Sequence, residues 1–120
     1  MKDVVSDCPI ESVMRVLSGR WPTLLIYYLK DGTRRFSDLR RDNPTVSHRM
    51  LAQELRKLES TGIVRRTEHP GYPRHVDYDL TAAGIRLVPL IDALSDWWEE
   101  NEAQRRQLPS PARRVEAAVT

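Results

Sequence analysis

The sequence predicts a mostly α fold with one small β-hairpin, an α+β arrangement. Three observations carry this. Before Gly62, apolar residues recur at helical spacing in four separate stretches, and they do so again near the C-terminus. From Val64 to Leu80 the period changes to two. Proline and glycine punctuate the stretches, at Pro9, Gly19, Pro22, Gly32, Pro44 and Gly62.

In the first helix Ile10, Val13, Met14 and Leu17 share a face. Pro9 suits its first position, which makes Cys8 the N-cap residue, and Gly19 ends it. Trp21, Leu24, Leu25, Tyr28 and Leu29 form a second helix, entered at Pro22 and stopped at Gly32. Phe36–Arg41 is a short third helix, followed by the turn Asp42-Asn43-Pro44. The fourth begins at the N-cap Ser47 and buries Leu51, Leu55 and Leu58. Gly62 can take the left-handed conformation that closes it. At about 100° per residue, Arg49, Gln53, Arg56 and Ser60 fall on the face opposite the leucines.

Val64–His69 and His75–Leu80 read as a hairpin around the turn-forming loop Pro70-Gly71-Tyr72-Pro73. Thr81 caps a last long helix striped by Leu87, Ile91, Leu94 and Trp98, with Leu90 and Trp97 alongside and Pro89 expected to kink it. Leu87, Ile91 and Leu94 are expected to serve the core. Residues 1–7 read as a flexible N-terminus, 8–106 as one domain and 107–120 as a weakly structured tail.

The order helix, helix, short helix, turn, helix, hairpin, helix is that of a winged helix-turn-helix domain. Charge agrees with it. Residues Arg34 to Arg74 sum to +5, and His75 to Arg106 sum to −4, although the chain as a whole carries only +2. A basic middle suits a polyanion. Arg and Gln recognise guanine and adenine edges, and Ser adds a hydrogen bond to base or phosphate. The candidate DNA contacts are therefore Arg35, Ser47, His48, Arg49, Gln53 and Arg56, with Arg74 at the wing. Arg34, Arg40 and Arg41 add charge around the motif. Arg65 and Arg66 point to opposite sides of their strand, so at most one is expected to reach DNA. Tyr72 either packs on a sugar or lies back on the domain.

Catalysis finds no support in the sequence. His48, His69 and His75 have no metal-ligand spacing with Cys8, and no Gly-rich phosphate loop is present. Asp77 and Asp79 share a strand face and are expected to pair with Arg65 or Arg66. No enzyme activity, cofactor or metal is expected. The single cysteine excludes a disulfide within one chain, no apolar run approaches a bilayer span and no signal-peptide pattern begins the chain. Together these predict a cytoplasmic protein.

Several segments jointly resemble the HxlR-type winged helix-turn-helix transcriptional regulators. They are Cys8-Pro9-Ile10-Glu11, Gly19-Arg20-Trp21, Arg35-Phe36-Ser37-Asp38-Leu39, Ser47-His48-Arg49-Met50-Leu51, Leu55-Arg56-Lys57-Leu58-Glu59, Gly62-Ile63-Val64, Val76-Asp77-Tyr78-Asp79-Leu80-Thr81 and the Pro89…Trp97 end. The resemblance spans Cys8 to Glu102. Arg20 departs from it where lysine is common, and Trp98 doubles an aromatic usually seen singly. The resemblance implies a homodimeric DNA-binding regulator of bacteria or archaea, paired through its first and last helices.

The residues themselves carry a dimer as well. Leu90, Trp97 and Trp98, with Ile10 and Val13 of the first helix, are apolar surface beyond what one small domain can cover. A two-fold axis would then demand a roughly palindromic operator on double-stranded DNA. Cys8 matches a cysteine with which some members of the family sense electrophiles or oxidants. A helix N-terminus favours a thiolate, the nearby Asp7 and Glu11 oppose it, and a small N-capping or packing residue is the other reading. The seam with Trp97, Trp98 and Tyr28 either holds a planar effector or is plain interface. The function expected is a sequence-specific DNA-binding regulator. The alternative is a winged-helix module that binds protein and only weakly nucleic acid.

Overall fold

The computed structural model describes residues 8–109. Its elements are α1 (Pro9–Leu17), α2 (Trp21–Leu29), β1 (Arg34–Arg35), α3 (Phe36–Asp42), α4 (His48–Ser60), β2 (Val64–His69), β3 (His75–Leu80), α5 (Ala82–Glu100) and α6 (Glu102–Gln107). This is the winged helix-turn-helix order. Two elements go beyond the sequence reading. β1 is only two residues long and exists by pairing with β3, Arg34 opposite Tyr78 and Arg35 opposite Asp77. α6 follows a break at Asn101, whose Nδ2 donates to the Trp97 carbonyl at 2.9 Å. The segments 1–7 and 110–120, read as flexible start and tail, lie outside the described residues.

Two compact units divide the chain between Val88 and Pro89. The core of the first is aliphatic. Leu25, Ile26 and Leu29 of α2, Leu39 of α3, Val46 of the turn and Leu51, Leu55 and Leu58 of α4 are all buried. Burying one such side chain is worth about 1.5–3 kcal/mol, so the stripe on α4 fixes which way that helix faces. The sheet, ordered β1-β3-β2 and antiparallel throughout, turns Val64, Tyr78 and Leu80 into this core.

The joints are hydrogen-bonded in detail. In the α3–α4 turn the buried Asn43 donates from Nδ2 to the Leu39 carbonyl at 2.8 Å, and its own carbonyl accepts from Val46 N at 3.1 Å. Ser47 Oγ accepts from Met50 N at 3.0 Å, which satisfies an otherwise unpaired first-turn amide. At the far end Gly62 has φ +81°, and Ile63 N donates to the Leu58 carbonyl at 3.0 Å. This is the left-handed closure anticipated for Gly62. Thr81 starts α5 as its N-cap, its Oγ1 accepting from Gly84 N at 3.1 Å, while Thr81 N donates to the Ile63 carbonyl at 3.0 Å.

The second unit holds the rest of α5 and α6. Leu94, expected in the core, is instead 53% exposed, as are Leu90, Trp97 and Trp98 to a similar degree, whereas Ile91 is buried. Helical spacing sets which residues share a face, and of this stripe only Ile91 is buried. The Arg105 guanidinium lies 3.3 Å from the Trp98 ring centroid, a cation–π contact that covers one indole face. In the first unit α1 has no buried residue, and Ile10, Val13 and Met14 are exposed.

Gly84 has a steric reason to be glycine. A Cβ there would stand 2.3 Å from the Ile63 carbonyl oxygen, a backbone atom that cannot rotate away. Gly84→Ala is expected to destabilise by about 1–3 kcal/mol. Gly71→Ala, where a Cβ meets nothing within 4 Å, should be near neutral. Urea unfolding of the two variants checks this, and equal midpoints would contradict it.

Candidate nucleic-acid interface

Because Leu51, Leu55 and Leu58 face inward, Arg49, Gln53, Arg56 and Ser60 are exposed on the opposite side of α4. Ser60 differs from expectation in one respect: its hydroxyl donates back to the Lys57 carbonyl at 2.9 Å. Ser47 is exposed, and its capping role leaves its O–H as a donor beside the helix N-terminus, where anions are favoured. Phe36 ties the parts together. Its ring is 4.7 Å from His48 at the start of α4 and 6.4 Å from Tyr78 in β3.

Between α4 and the wing lies a cleft of about 470 Å³, lined by Arg35, His48, Ala52, Arg56, Arg74 and Tyr78 among others. Tyr72 at the wing tip is fully exposed and does not lie back on the domain.

Electrostatics sorts the arginines into two groups. Arg34 pairs with Asp42 at 3.1 Å, Arg41 with Asp38 at 2.9 Å, and Arg66 with Glu68 at 2.6 Å. Arg65 grips Asp79 with two nitrogens, at 3.1 and 2.5 Å. Arg40 turns its Nε to the Val46 carbonyl at 3.2 Å. The hydrogen bond from Arg66, with its charge, holds the Glu68 carboxyl below the usual carboxylate range, and the hydrogen bonds that Arg65 donates to Asp79 raise the Arg65 guanidinium. The second group is Arg35, Arg49, Arg56 and Arg74. Among the described residues none of these has a carboxylate within ion-pair distance. All four are exposed, and three of them line the one cleft.

The sequence led to the Arg65–Asp79 pair, whereas Asp77, expected to pair with an arginine as well, faces His69 and His75 instead, and the Arg34–Asp42 pair is set by the fold. Asp79 lies opposite Arg65 across the hairpin, while Asp42 meets Arg34 across α3. A cluster that sequence spacing did not reveal is also present. His69, His75 and Asp77 each bring a metal-ligating atom to within 4.8 Å of the others. Cys8 is exposed at the N-cap of α1, where its carbonyl accepts from Glu11 N and Ser12 N, and its side chain makes no capping hydrogen bond.

A basic cleft beside an outward-facing helix is the layout of a helix-turn-helix DNA reader. The family model for HxlR-like helix-turn-helix proteins matches residues 16–106. The chain belongs to this family. An HTH-type transcriptional regulator of Escherichia coli, YtfH, is 44% identical over 95 residues, spanning 79% of this chain and 75% of the relative. Among solved structures, the redox regulator HypR in its reduced form superposes with a TM-score of 0.73 at 36% identity, covering 84% of this chain and 100% of HypR. The reduced form of the regulator YodB from Bacillus subtilis gives 0.72 at 35%, covering 79% and 94%. YodB has also been solved diamide-treated and quinone-bound. This HxlR-like chain is a helix-turn-helix transcriptional regulator, and proteins of that kind bind DNA. Among the described residues, no helix is long and apolar enough to cross a membrane.

Proposed function

We propose that the regulator reads a roughly palindromic duplex site as a homodimer, with α4 in the major groove. Arg49 and Gln53 contact base edges. Ser47, His48, Arg35, Arg56 and Arg74 hold the phosphates on either side. The observation that carries this is the set of arginines without carboxylate partners, gathered on α4 and around its cleft. An interaction module for protein would have no need of cations left unneutralised there, and a polyanion supplies their counter-charge.

Two features support the rest of the reading. Exposed Leu90, Trp97 and Trp98 on α5, and Ile10 and Val13 on α1, are apolar surface suited to a second copy. Trp97 is the stronger anchor, because Arg105 already covers Trp98. An exposed thiol at Cys8, in a family whose HypR is a redox regulator and whose YodB has been seen with quinone bound, supports a sensor of small electrophiles or oxidants.

For readout, Arg49→Ala and Gln53→Ala should each cost about 1–3 kcal/mol on the specific site and relax preference at one base pair. Arg74→Ala should weaken all sequences alike and flatten the salt dependence by roughly one phosphate, while Arg65→Ala leaves the slope unchanged. Unaltered base preference in Arg49→Ala, measured by competition binding, would refute the orientation of α4. For assembly, sedimentation at tens of micromolar should give a dimer, loosened in Trp97→Ala by about 2 kcal/mol. A wild-type monomer would remove both the dimer and the palindrome. For sensing, diamide or a quinone should change DNA affinity in the wild type and not in Cys8→Ser. With one cysteine per chain, any disulfide joins two molecules or a small thiol. An equal response in both proteins leaves Cys8 as a structural residue.

A further inference from the structure

His69 ends β2 and His75 begins β3, and the register sets them directly opposite one another at the base of loop 70–74. Side chains so paired share a face, with Cβ atoms about 4.5–5.5 Å apart. The two imidazoles stack, centroids 4.4 Å apart and planes 15° from parallel. Asp77 lies on the same face one step along β3. Its Oδ2 is 2.9 Å from His69 Nε2 and its Oδ1 is 3.7 Å from His75 Nε2. All three side chains are partly buried, between 20% and 44% exposed, so water and ions reach them.

One tautomer of His75 leaves a lone pair available to a metal ion. His75 Nδ1 faces the Pro73 carbonyl at 3.4 Å, and its Nε2 faces the Asp77 carboxylate. A neutral imidazole has one N–H and one lone pair. In the tautomer with the proton on Nδ1, directed at Pro73, the Nε2 lone pair is aimed toward Asp77, 3.7 Å away, and the two can share a metal cation. A carbonyl that fixes the tautomer of a histidine in this way is the usual outer partner of a metal ligand.

We infer that His69, His75 and Asp77 form a binding site for a divalent transition-metal ion, zinc being the type, at the base of the wing. Two imidazole nitrogens and one carboxylate oxygen favour zinc, cobalt or nickel over magnesium or calcium, which prefer all-oxygen sites. Ligand bonds of about 2.0–2.2 Å require donor atoms about 3.3 Å apart in a tetrahedron. The widest gap here, at most 4.8 Å, closes by side-chain rotation of the partly exposed rings. His69 moves its proton from Nε2 to Nδ1 within the neutral ring, so no proton need leave the site. Water fills the remaining position. Two neutral imidazoles and one carboxylate carry −1, so the loaded site carries +1.

The surrounding charges set limits on affinity. Arg35 is paired in register with Asp77, and Arg74 precedes His75, so both repel a cation. Glu68 and Asp79 attract it, but each is already paired with an arginine. The ion would pin the two strands together where loop 70–74 leaves them. Since His75 also lines the cleft, the ion would add positive charge beside Arg74. Its effect on DNA rests on the reading given above, but its binding does not.

The test uses the full, untagged, metal-stripped chain without DNA, titrated with Co2+ and followed by its visible bands, with Zn2+ as competitor. One equivalent per chain is expected, displaced by Zn2+ and unaffected by Cys8→Ser. His69→Gln and Asp77→Asn should each lower affinity by at least the roughly 10–100-fold typical of losing even an outer partner. Both positions are partly exposed and both substitutions are close in shape. Amide exchange across residues 68–77 should slow with Zn2+ in the wild type and not in Asp77→Asn. Absence of stoichiometric binding, or equal binding by both variants, would overturn the site. Binding with no slowing of exchange would overturn its role as a clamp on the wing.

Discussion

Burial of one leucine face on α4 is the interaction on which the rest depends. Leu51, Leu55 and Leu58 are completely enclosed, packed against α2 and β2. Shifting the helix face by a single position would expose these side chains and bury Arg56 and Glu59, or Glu54 and Lys57, in their place. Exposing a leucine costs about 1.5–3 kcal/mol, and an unpaired buried charge costs several more. The direction in which Arg49, Gln53 and Arg56 point is therefore a consequence of the core. Helix caps at both ends, Ser47 and Gly62, then hold the helix to its length.

Around that helix, the protein separates structural cations from available ones. Arg34, Arg41, Arg65 and Arg66 each have a carboxylate on the same small scaffold. Their pairs are largely exposed, so each adds little stability. Their larger effect is subtractive: their charges are neutralised within the fold, whereas Arg35, Arg56 and Arg74, which line the cleft, have no carboxylate at ion-pair distance among the described residues. A net charge of only +2 thus conceals a strongly basic face.

The wing unites two roles. One face of the hairpin contributes Val64, Tyr78 and Leu80 to the core, and the other carries Arg65 with Asp79 and, further out, the two stacked histidines with Asp77. β1 pairs with the same strand and brings Arg35 to the start of α3, where the Asp38 carboxylate accepts from its backbone N at 3.4 Å. One strand, β3, thereby links the core, the cleft and the base of the wing.

The sequence by itself determined the order of every element except β1 and α6, both hairpin strands, the caps of α4 and α5 and the outward face of α4. Each rests on periodicity or on a residue with a local conformational preference, such as Ser47, Gly62 or Thr81. Tertiary structure decided what depends on residues distant in the chain. β1 has no periodicity to detect and is a strand only because β3 lies beside it. Leu94 matched the stripe of α5 yet remains exposed, since helical spacing says which residues share a face and not whether anything covers it. Hairpin alternation already put Asp79 within reach of Arg65, but the Arg34–Asp42 pair depends on the fold that brings β1 to the end of α3. His69, His75 and Asp77 looked unrelated along the chain, because cross-strand register, not sequence spacing, brings their nitrogen and oxygen atoms together.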